Sequence, residues 1–233
     1  MDARQTVLIT GACGHLGTAT AAAFRDAGWR RVLVDRSADN VRRTRSGDDP
    51  SEELLVGGVD LADADTACDI VERATARFGR VDALVTAVGA YRTGRAVHEE
   101  DLSTWDVLLV ANLRTALVAC RAALPGMLAR GHGRIVTVAS RDALTAAAGA
   151  AAYAASKAAL LRLTETVAAE TRGRGVTANC VLPGAMDTPQ NRAAAGNEGA
   201  RLVPAAAVAE VIVFLASRAA RAVTGAAIPV EGA

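Results

Sequence analysis

A tyrosine and a lysine stand four residues apart, at Tyr153 and Lys157, in an alanine-rich run. Positions four apart share one face of an α-helix, so an ammonium would lie beside a phenol. A free tyrosine titrates near pH 10, and a neighbouring cation lowers that pKa. A shift of about three units corresponds to roughly 4 kcal/mol. The pair therefore indicates general acid–base chemistry, although a lone pair of this kind is more often an accident of a helix surface.

A serine precedes the tyrosine by thirteen residues. Ser140 ends the run 133–140, whose β-branched residues are typical of a buried strand. A strand that ends in serine, followed by a helix that carries Tyr153 and Lys157, brings all three groups to one crevice at the carboxyl ends of the strands. The alternative is that Ser140 only terminates its strand.

The chain predicts an α/β fold in which these residues are positioned. Short β-branched runs alternate with helical patterns from end to end, which indicates a single Rossmann-like, doubly wound parallel sheet of about seven strands with helices on both faces. No linker interrupts the rhythm, so we expect one domain over residues 1–233. Strands are predicted at 6–10, 31–35, 54–59, 83–86, 134–138, 176–181 and 227–230, and helices at 16–27, 63–78, 103–129, 152–172 and 205–217.

A glycine-rich turn joins the first strand to the first helix. It runs from Thr10 to Gly17, where glycines let the backbone approach a pyrophosphate and the helix N-terminus favours its charge. Asp35 closes the second strand 18 residues after Gly17. A carboxylate there can accept hydrogen bonds from an adenosine ribose. It could instead cap the strand end or pair with Arg36.

Composition limits the function classes. The 233 residues are 51% hydrophobic and 22% charged, with a formal charge of +1, so no bulk field draws nucleic acid or an anionic membrane. The four cysteines have no metal-like spacing and read as buried reduced thiols, and no metal site is expected. The N-terminus lacks the pattern of a signal peptide, and no apolar run is expected to reach the length that crosses a bilayer. The expected location is therefore cytoplasmic.

These motifs together resemble the short-chain dehydrogenase/reductase family over nearly the whole length. Thr10, Gly11 and Gly17 match the glycine turn of the family, although His15 replaces its middle glycine, and only Gly89 remains of the usual Asn-Asn-Ala-Gly. The resemblance implies that a dinucleotide is bound. The implied contact residues are Thr10, Gly11, Gly14, His15, Leu16, Gly17, Asp35, Arg36, Asp60, Leu61, Gly89, Tyr153, Lys157, Pro183, Gly184 and Thr188.

The resemblance also implies a mechanism. Ser140 would polarise the substrate oxygen, Tyr153 would exchange a proton with it, and Lys157 would lower the tyrosine pKa and bind the nicotinamide ribose. Asn112, on the long preceding helix, would hold a water in the proton path, or it could be a satisfied core amide. The predicted function is an NAD(P)-dependent oxidoreductase that interconverts a carbonyl and a secondary alcohol.

Cofactor preference, substrate and assembly are less closely determined. Asp35 and the neutral Gly14 favour NAD, while Arg36 keeps NADP possible. The substrate is a small carbonyl or alcohol under a short cover at 189–203. The candidate lining residues are Tyr91, Arg92, Arg141, Met186 and Arg192, and the alternative for each is a surface position. By resemblance, the helices at 103–129 and 152–172 would form the interface of a homodimer or homotetramer. The rival function is a dinucleotide-binding sensor or scaffold without turnover, and enoyl reduction is disfavoured because that branch spaces its tyrosine and lysine more widely.

Overall fold

Seven parallel strands form one sheet in the computed structural model, which describes residues 4–44, 49–145, 147–195 and 202–232. The strands are β1 (Thr6–Thr10), β2 (Arg30–Asp35), β3 (Glu53–Gly57), β4 (Ala83–Thr86), β5 (Gly133–Val138), β6 (Val176–Pro183) and β7 (Ala227–Val230). Their order across the sheet is β3-β2-β1-β4-β5-β6-β7. The predicted fold class is confirmed, and all seven predicted strands form.

Eight α-helices accompany the sheet within the described residues. They are α1 (His15–Asp26), α2 (Ala38–Arg43), α3 (Ala64–Phe78), α4 (Leu102–Leu109), α5 (Thr115–Ala129), α6 (Ala151–Glu170), α7 (Pro189–Ala195) and α8 (Ala205–Ala216). Short 3-10 turns occur at Pro50–Glu52, Arg141–Ala143 and Arg218–Ala220, and a π-helical turn, Val110–Arg114, joins α4 to α5. The sequence pattern missed α2 and α7 because six or seven residues are too few to show a helical period.

Apolar side chains cover both faces of the sheet, as continuous apolar strands require. One cluster joins β1, β4 and β5 to α1 and α8, around Phe24 and Ile212. A second cluster, on the opposite face, joins the sheet to α3 and α5, around Ile70 and Met127. The first three strands form one half of the sheet and the last four form the other, and the two halves meet where β1 lies beside β4. At this switch point the carboxyl ends of the strands leave a crevice.

Some element boundaries differ from the sequence-based prediction. The third strand was predicted over 54–59, but β3 ends at Gly57, which pairs with Asp35, the last residue of β2. The helix predicted over 103–129 is divided by the π-helical turn. The substrate cover predicted at 189–203 contains α7, and its residues 196–201 lie outside the described residues.

The helical stretch Leu102–Ala129 corrects one expectation. At 28 residues it is long and apolar enough to cross a bilayer, so the prediction that no segment reaches that length is wrong. Its α5 part packs on β4, β5 and α3. The apolar residues that do not enter this packing form an exposed stripe, at Leu102, Val107, Val110 and Leu117.

The thiols depart from the expectation at two positions. All four cysteines are free, and Cys120 and Cys180 are buried as predicted. Cys13 is partly exposed and Cys68, on α3, is exposed, so the prediction of buried thiols is wrong for these two residues. Burial raises the pKa of the Cys120 thiol to about 12, which keeps it protonated at neutral pH.

Candidate active site

Helix α6 places Tyr153 and Lys157 on one buried face, as their spacing predicts. Tyr153 is 9% exposed and Lys157 is 5% exposed. The Lys157 Nζ donates a hydrogen bond of 3.0 Å to the backbone oxygen of Val138, at the end of β5. It lies 6.0 Å from the centre of the Tyr153 ring. The pair is therefore a buried feature at the carboxyl edge of the sheet and not an accident of the helix surface.

Burial shifts the pKa values of both groups. Desolvation lowers the pKa of Lys157 to about 8, and the neighbouring Cys180 opposes this weakly. Burial raises the pKa of Tyr153; a hydrogen bond with Ser140 acts the other way, while Asp142 and Tyr91 raise it further. The expected lowering of the tyrosine pKa by Lys157 is thus not seen in the chain alone. Lys157 is not among the causes of the shift in the Tyr153 pKa, and its ammonium donates to the Val138 carbonyl.

Ser140 lies just beyond β5, where it begins the turn Arg141–Ala143. Its Oγ donates to Asp142 Oδ2 at 3.3 Å and accepts from the Asp142 backbone N–H at 3.2 Å. Ser140 therefore caps a turn, as the alternative interpretation held. It also lines the same cavity as Tyr153.

Asn112 lies in the π-helical turn and is fully buried. Its Oδ1 accepts from the Ala90 N–H at 2.8 Å, and its Nδ2 donates to the Ala90 oxygen at 3.1 Å and to Ser156 Oγ at 2.8 Å. Ser156 in turn donates to the Tyr153 carbonyl oxygen at 2.7 Å. Both amide hydrogens are used, so Asn112 joins the segment after β4 to the tyrosine helix and is a satisfied core amide. To hold a water, as expected, the Asn112 side chain has only the second lone pair of Oδ1 to offer, as an acceptor.

Gly89 keeps the space between these groups open. A Cβ at this position would stand 3.2 Å from both Asn112 Oδ1 and Lys157 Nζ. Such contacts are tighter than ordinary van der Waals distance and would push on two polar atoms at once. This close approach gives a steric reason for glycine here, although the three residues before it differ from the family pattern.

The glycine turn before α1 can accept an anion. Gly11 has a φ of 71°, and a Cβ on Gly17 would collide with the Gly11 carbonyl oxygen. Gly14, the residue before α1, has no side chain that could cap the helix, and no acidic residue occupies the first helical turn. The first N–H groups of a helix have no partner inside it, so this end offers donors and a positive dipole to a pyrophosphate. The turn fits a dinucleotide in both shape and charge.

Asp35 is fixed beside this turn. One carboxylate oxygen accepts from the Cys13 N–H at 3.2 Å and the other from the Ser37 N–H at 3.3 Å. Asp35 therefore caps the strand end, as the alternative held, and its remaining lone pairs are free to accept from a ribose. Arg36 is exposed next to it. The carboxylate fits a ribose with free hydroxyls better than one that carries a phosphate.

A cavity of about 930 Å³ unites most of the predicted residues. Of the predicted set, the cavity is lined by Gly14, His15, Leu16, Gly17, Gly89, Tyr91, Ser140, Arg141, Tyr153, Lys157, Pro183, Gly184 and Met186. The predicted residues that do not line it are Thr10, Gly11, Asp35, Arg36, Asp60, Leu61, Arg92, Asn112, Thr188 and Arg192. His15 is exposed and lies on the rim of this cavity.

Several residues outside the lining have other partners. Asp60 Oδ1 accepts from the Ala62 N–H at 2.9 Å, and Thr188 Oγ1 accepts from the Asn191 N–H at 3.1 Å. Arg192 forms an ion pair with Asp187. Arg192 is exposed and does not line the cavity, and the same holds for Arg92, so for these two residues the alternative of a surface position holds. In place of Thr188, Asn191 lines the cavity.

The comparisons with known proteins agree with this geometry. The sequence model of the short chain dehydrogenases matches residues 5–199. The chain belongs to this family. The chain is similar to the 2-(R)-hydroxypropyl-CoM dehydrogenase of Xanthobacter autotrophicus. The two are 32% identical over 98% of each chain. The predicted class, an NAD(P)-dependent oxidoreductase for carbonyls and alcohols, is thereby confirmed.

Solved structures of the family share the fold closely. A short-chain dehydrogenase/reductase from Burkholderia xenovorans superimposes with a TM-score of 0.89 at 32% identity, over 98% of this chain and 95% of that one. A 3-ketoacyl-(acyl-carrier-protein) reductase from Brucella melitensis, complexed with NADH, has a TM-score of 0.88 at 26% identity, over 98% and 97%.

Sequence reasoning missed several residues of this dehydrogenase site. Asp142 and Ser156 contact the serine and asparagine described above, and Glu231 pairs with Arg141 at 3.2 Å. Asp142 and Ser156 lie within two residues of a predicted catalytic residue, so proximity in sequence was an available signal. Glu231 comes from the far end of the chain, and no local pattern marks it.

Proposed function

We propose that Tyr153 is the acid–base group of this dehydrogenase, assisted by Ser140 and Lys157. One observation carries the proposal. The three side chains meet on a single cavity that also contains the open N-terminal end of α1. A site with these members can bind a dinucleotide at one end and a carbonyl or alcohol at the other. A bound nicotinamide would supply the hydride that the reaction exchanges with carbon.

The residues of the chain divide the remaining work. Ser140 donates a hydrogen bond to the substrate oxygen and stabilises the charge that develops there. Tyr153 gives its proton to that oxygen in reduction and takes it back in oxidation. The raised pKa of Tyr153 favours the protonated form in the chain alone. Lys157 supplies the nearby positive charge that favours release of the proton.

Asn112 acts by position. Its bonds to Ala90 and Ser156 fix the segment after β4 against the helix that carries Tyr153 and Lys157. A helix that deviates into a π turn directs this amide inward, and such turns occur frequently at functional sites. We propose that this brace sets the distance between the two ends of the cavity.

The cofactor contacts follow the same geometry. Gly14, His15, Leu16 and Gly17 would hold the pyrophosphate. Asp35 and Arg36 would meet the adenosine ribose, with Thr10 and Gly11 shaping the turn and Asp60 and Leu61 beside the adenine. Gly89, Tyr153, Lys157, Pro183, Gly184 and Thr188 would surround the nicotinamide end. NAD is the preferred cofactor because the Asp35 carboxylate would repel a 2′-phosphate, and Arg36 keeps NADP possible.

The test replaces the proposed acid. Tyr153→Phe keeps the ring and its packing but removes the phenol. We expect turnover to fall about a hundredfold or more, while the quantum yield and affinity of bound NADH stay close to those of the native protein. Circular dichroism and the unfolding midpoint control for folding. Turnover near the native level would refute the assignment of Tyr153. Binding of NADH without oxidation by any ketone in the native protein would favour the rival sensor or scaffold.

We also propose a homodimer or homotetramer, working as one domain in the cytoplasm. The exposed apolar stripe of Leu102, Val107, Val110 and Leu117 supports an assembly through α4 and α5. The Leu102 side chain is 77% exposed, and a partner chain that covers it would remove this apolar surface from water. Leu102→Glu together with Leu117→Glu should shift the mass measured by light scattering to that of a monomer, and an unchanged mass would refute this interface.

A further inference from the structure

A carboxylate stands on the cavity wall one hydrogen bond away from the serine that faces the reacting oxygen. Asp142 is half-buried in the turn Arg141–Ala143, and its Oδ2 accepts from Ser140 Oγ at 3.3 Å. Its backbone N–H donates to the same Oγ at 3.2 Å, which fixes the turn. The carboxylate is therefore held against the position where the substrate binds.

The other charges on the cavity wall have partners or lie at its rim. Arg141 Nη1 pairs with Glu231 Oε1 at 3.2 Å, and Lys157 Nζ donates to the Val138 oxygen. His15 lies at the rim beside the glycine turn. Among the residues that the structure describes, no ion pair joins Asp142 to a cation. Asp142 is therefore a carboxylate on the cavity wall that is held by the Ser140 hydroxyl and not by a cation.

We propose that Asp142 selects substrates with a hydrogen-bond donor, a hydroxyl or an ammonium group, on the carbon next to the reacting carbon, and that it disfavours a carboxylate there. The inference rests on the proposed function of Ser140 and Tyr153. It adds a specificity determinant that binds the substrate directly, two residues after the serine.

An exchange of hydrogen bonds explains the selection. In the chain alone, the Ser140 hydrogen is directed to Asp142. When Ser140 turns to donate to a carbonyl oxygen, Asp142 loses that partner. A substrate hydroxyl or ammonium group restores it, because the 3.3 Å between the two side chains suits polar groups on adjacent carbons. A plain ketone leaves the half-buried carboxylate without a donor, and a carboxylate substrate places two like charges together.

The influence of Asp142 on the phenol is consistent with this placement. Burial is the main cause that raises the pKa of Tyr153, and the negative charge of Asp142, which lines the same cavity, adds to it. A cationic or donor group bound at Asp142 would offset that charge at the moment when Tyr153 releases its proton. Substrates of the selected class would then be both bound and activated by the same contact.

Three ketones test the selection. Acetoin carries a hydroxyl next to the carbonyl, methyl isopropyl ketone replaces that hydroxyl with a methyl group of similar size, and acetoacetate brings a carboxylate close by. We expect kcat/KM with NADH to be at least about tenfold higher for acetoin than for methyl isopropyl ketone, the direction expected when a site built for a hydroxyl meets an analogue without one. Acetoacetate should be the poorest of the three.

Two variants of Asp142 and one control assign the effect. Asp142→Ala should abolish the preference, so that the ratio of kcat/KM for acetoin to kcat/KM for methyl isopropyl ketone falls to about one. Asp142→Asn, which keeps the shape and the cap, should raise the rate with acetoacetate several-fold. Asp69→Asn removes an exposed carboxylate on α3, outside the cavity, and should leave all ratios unchanged.

The outcomes separate this inference from the proposed function. Equal rates with acetoin and methyl isopropyl ketone, or a preference that survives Asp142→Ala, would overturn the role of Asp142 while Tyr153 catalysis stands. If no ketone turns over, the proposed function fails. The same compounds are then compared by thermal stabilisation of the NADH-loaded chain. There, a preference for acetoin that Asp142→Ala abolishes supports the inference, and the lack of a preference overturns it.

Discussion

Lys157 is the only lysine in the chain, since the other 25 of the 26 basic residues are arginine, and it can therefore be observed alone. Burial lowers its pKa from 10.5 to about 8. Chain labelled with ¹³C at the lysine Cε should give one lysine resonance, and its chemical shift should titrate with a midpoint near pH 8. A midpoint near the ordinary lysine value would refute the claim that burial controls this ammonium.

The same shift predicts how stability depends on pH. Between about pH 8 and 10.5, the unfolded chain holds a proton on Lys157 that the folded chain has released, so the free energy of unfolding rises with pH in that window. Two and a half pKa units correspond to about 3 kcal/mol. Below pH 8, the folded protein bears this full cost of burying a charge.

Replacing the lysine with methionine isolates this contribution. Lys157→Met removes the charge and also the hydrogen bond to Val138, which is worth about 1 kcal/mol. The variant should therefore be about 2 kcal/mol more stable than the native protein at pH 7. The gain should disappear by about pH 10.

Urea unfolding of both proteins at several pH values measures the difference directly. Comparing the two cancels the opposite trend from Cys13 and Cys120, whose raised pKa values make the folded state lose stability at alkaline pH. A difference that stays constant from pH 7 to 10 would contradict the reasoning. Turnover should be lost in the variant although stability rises, because a group that serves catalysis is kept at a cost to folding.

Two further predictions concern the brace and the cofactor. Asn112→Ala removes hydrogen bonds to Ala90 and Ser156 and should lower the free energy of unfolding by about 2–5 kcal/mol, as measured in urea; a loss below about 1 kcal/mol would show that the bonds are dispensable. Asp35→Ser should shift the ratio of kcat/KM for NADH and NADPH toward NADPH by about 1–3 kcal/mol, with Arg36 free to pair with the phosphate, and a native protein that already prefers NADPH would refute the electrostatic argument.

Local patterns were sufficient for the elements of the fold. Buried parallel strands are continuous apolar runs, and the glycine turn and the Tyr153–Lys157 spacing are features of neighbouring residues. For this reason the sequence alone predicted the sheet, the order of its strands along the chain and the end of the sheet at which the site lies. The resemblance added Asn112, but the π turn that directs its amide inward was not predictable, because a single extra residue in a helical turn leaves the apolar pattern nearly unchanged.

The tertiary structure alone decided the chemical state of the site. The pKa of Lys157 depends on how completely the surrounding elements exclude water, and the direction of the Ser140 hydrogen depends on where the Asp142 carboxylate comes to lie. Arg141 is neutralised by Glu231, ninety residues later in the chain, because parallel strands bring distant carboxyl ends to one edge. Sequence determines which groups are present and which share an element. Desolvation and contacts between elements, which exist only after folding, determine what charge each group carries and what it can bind.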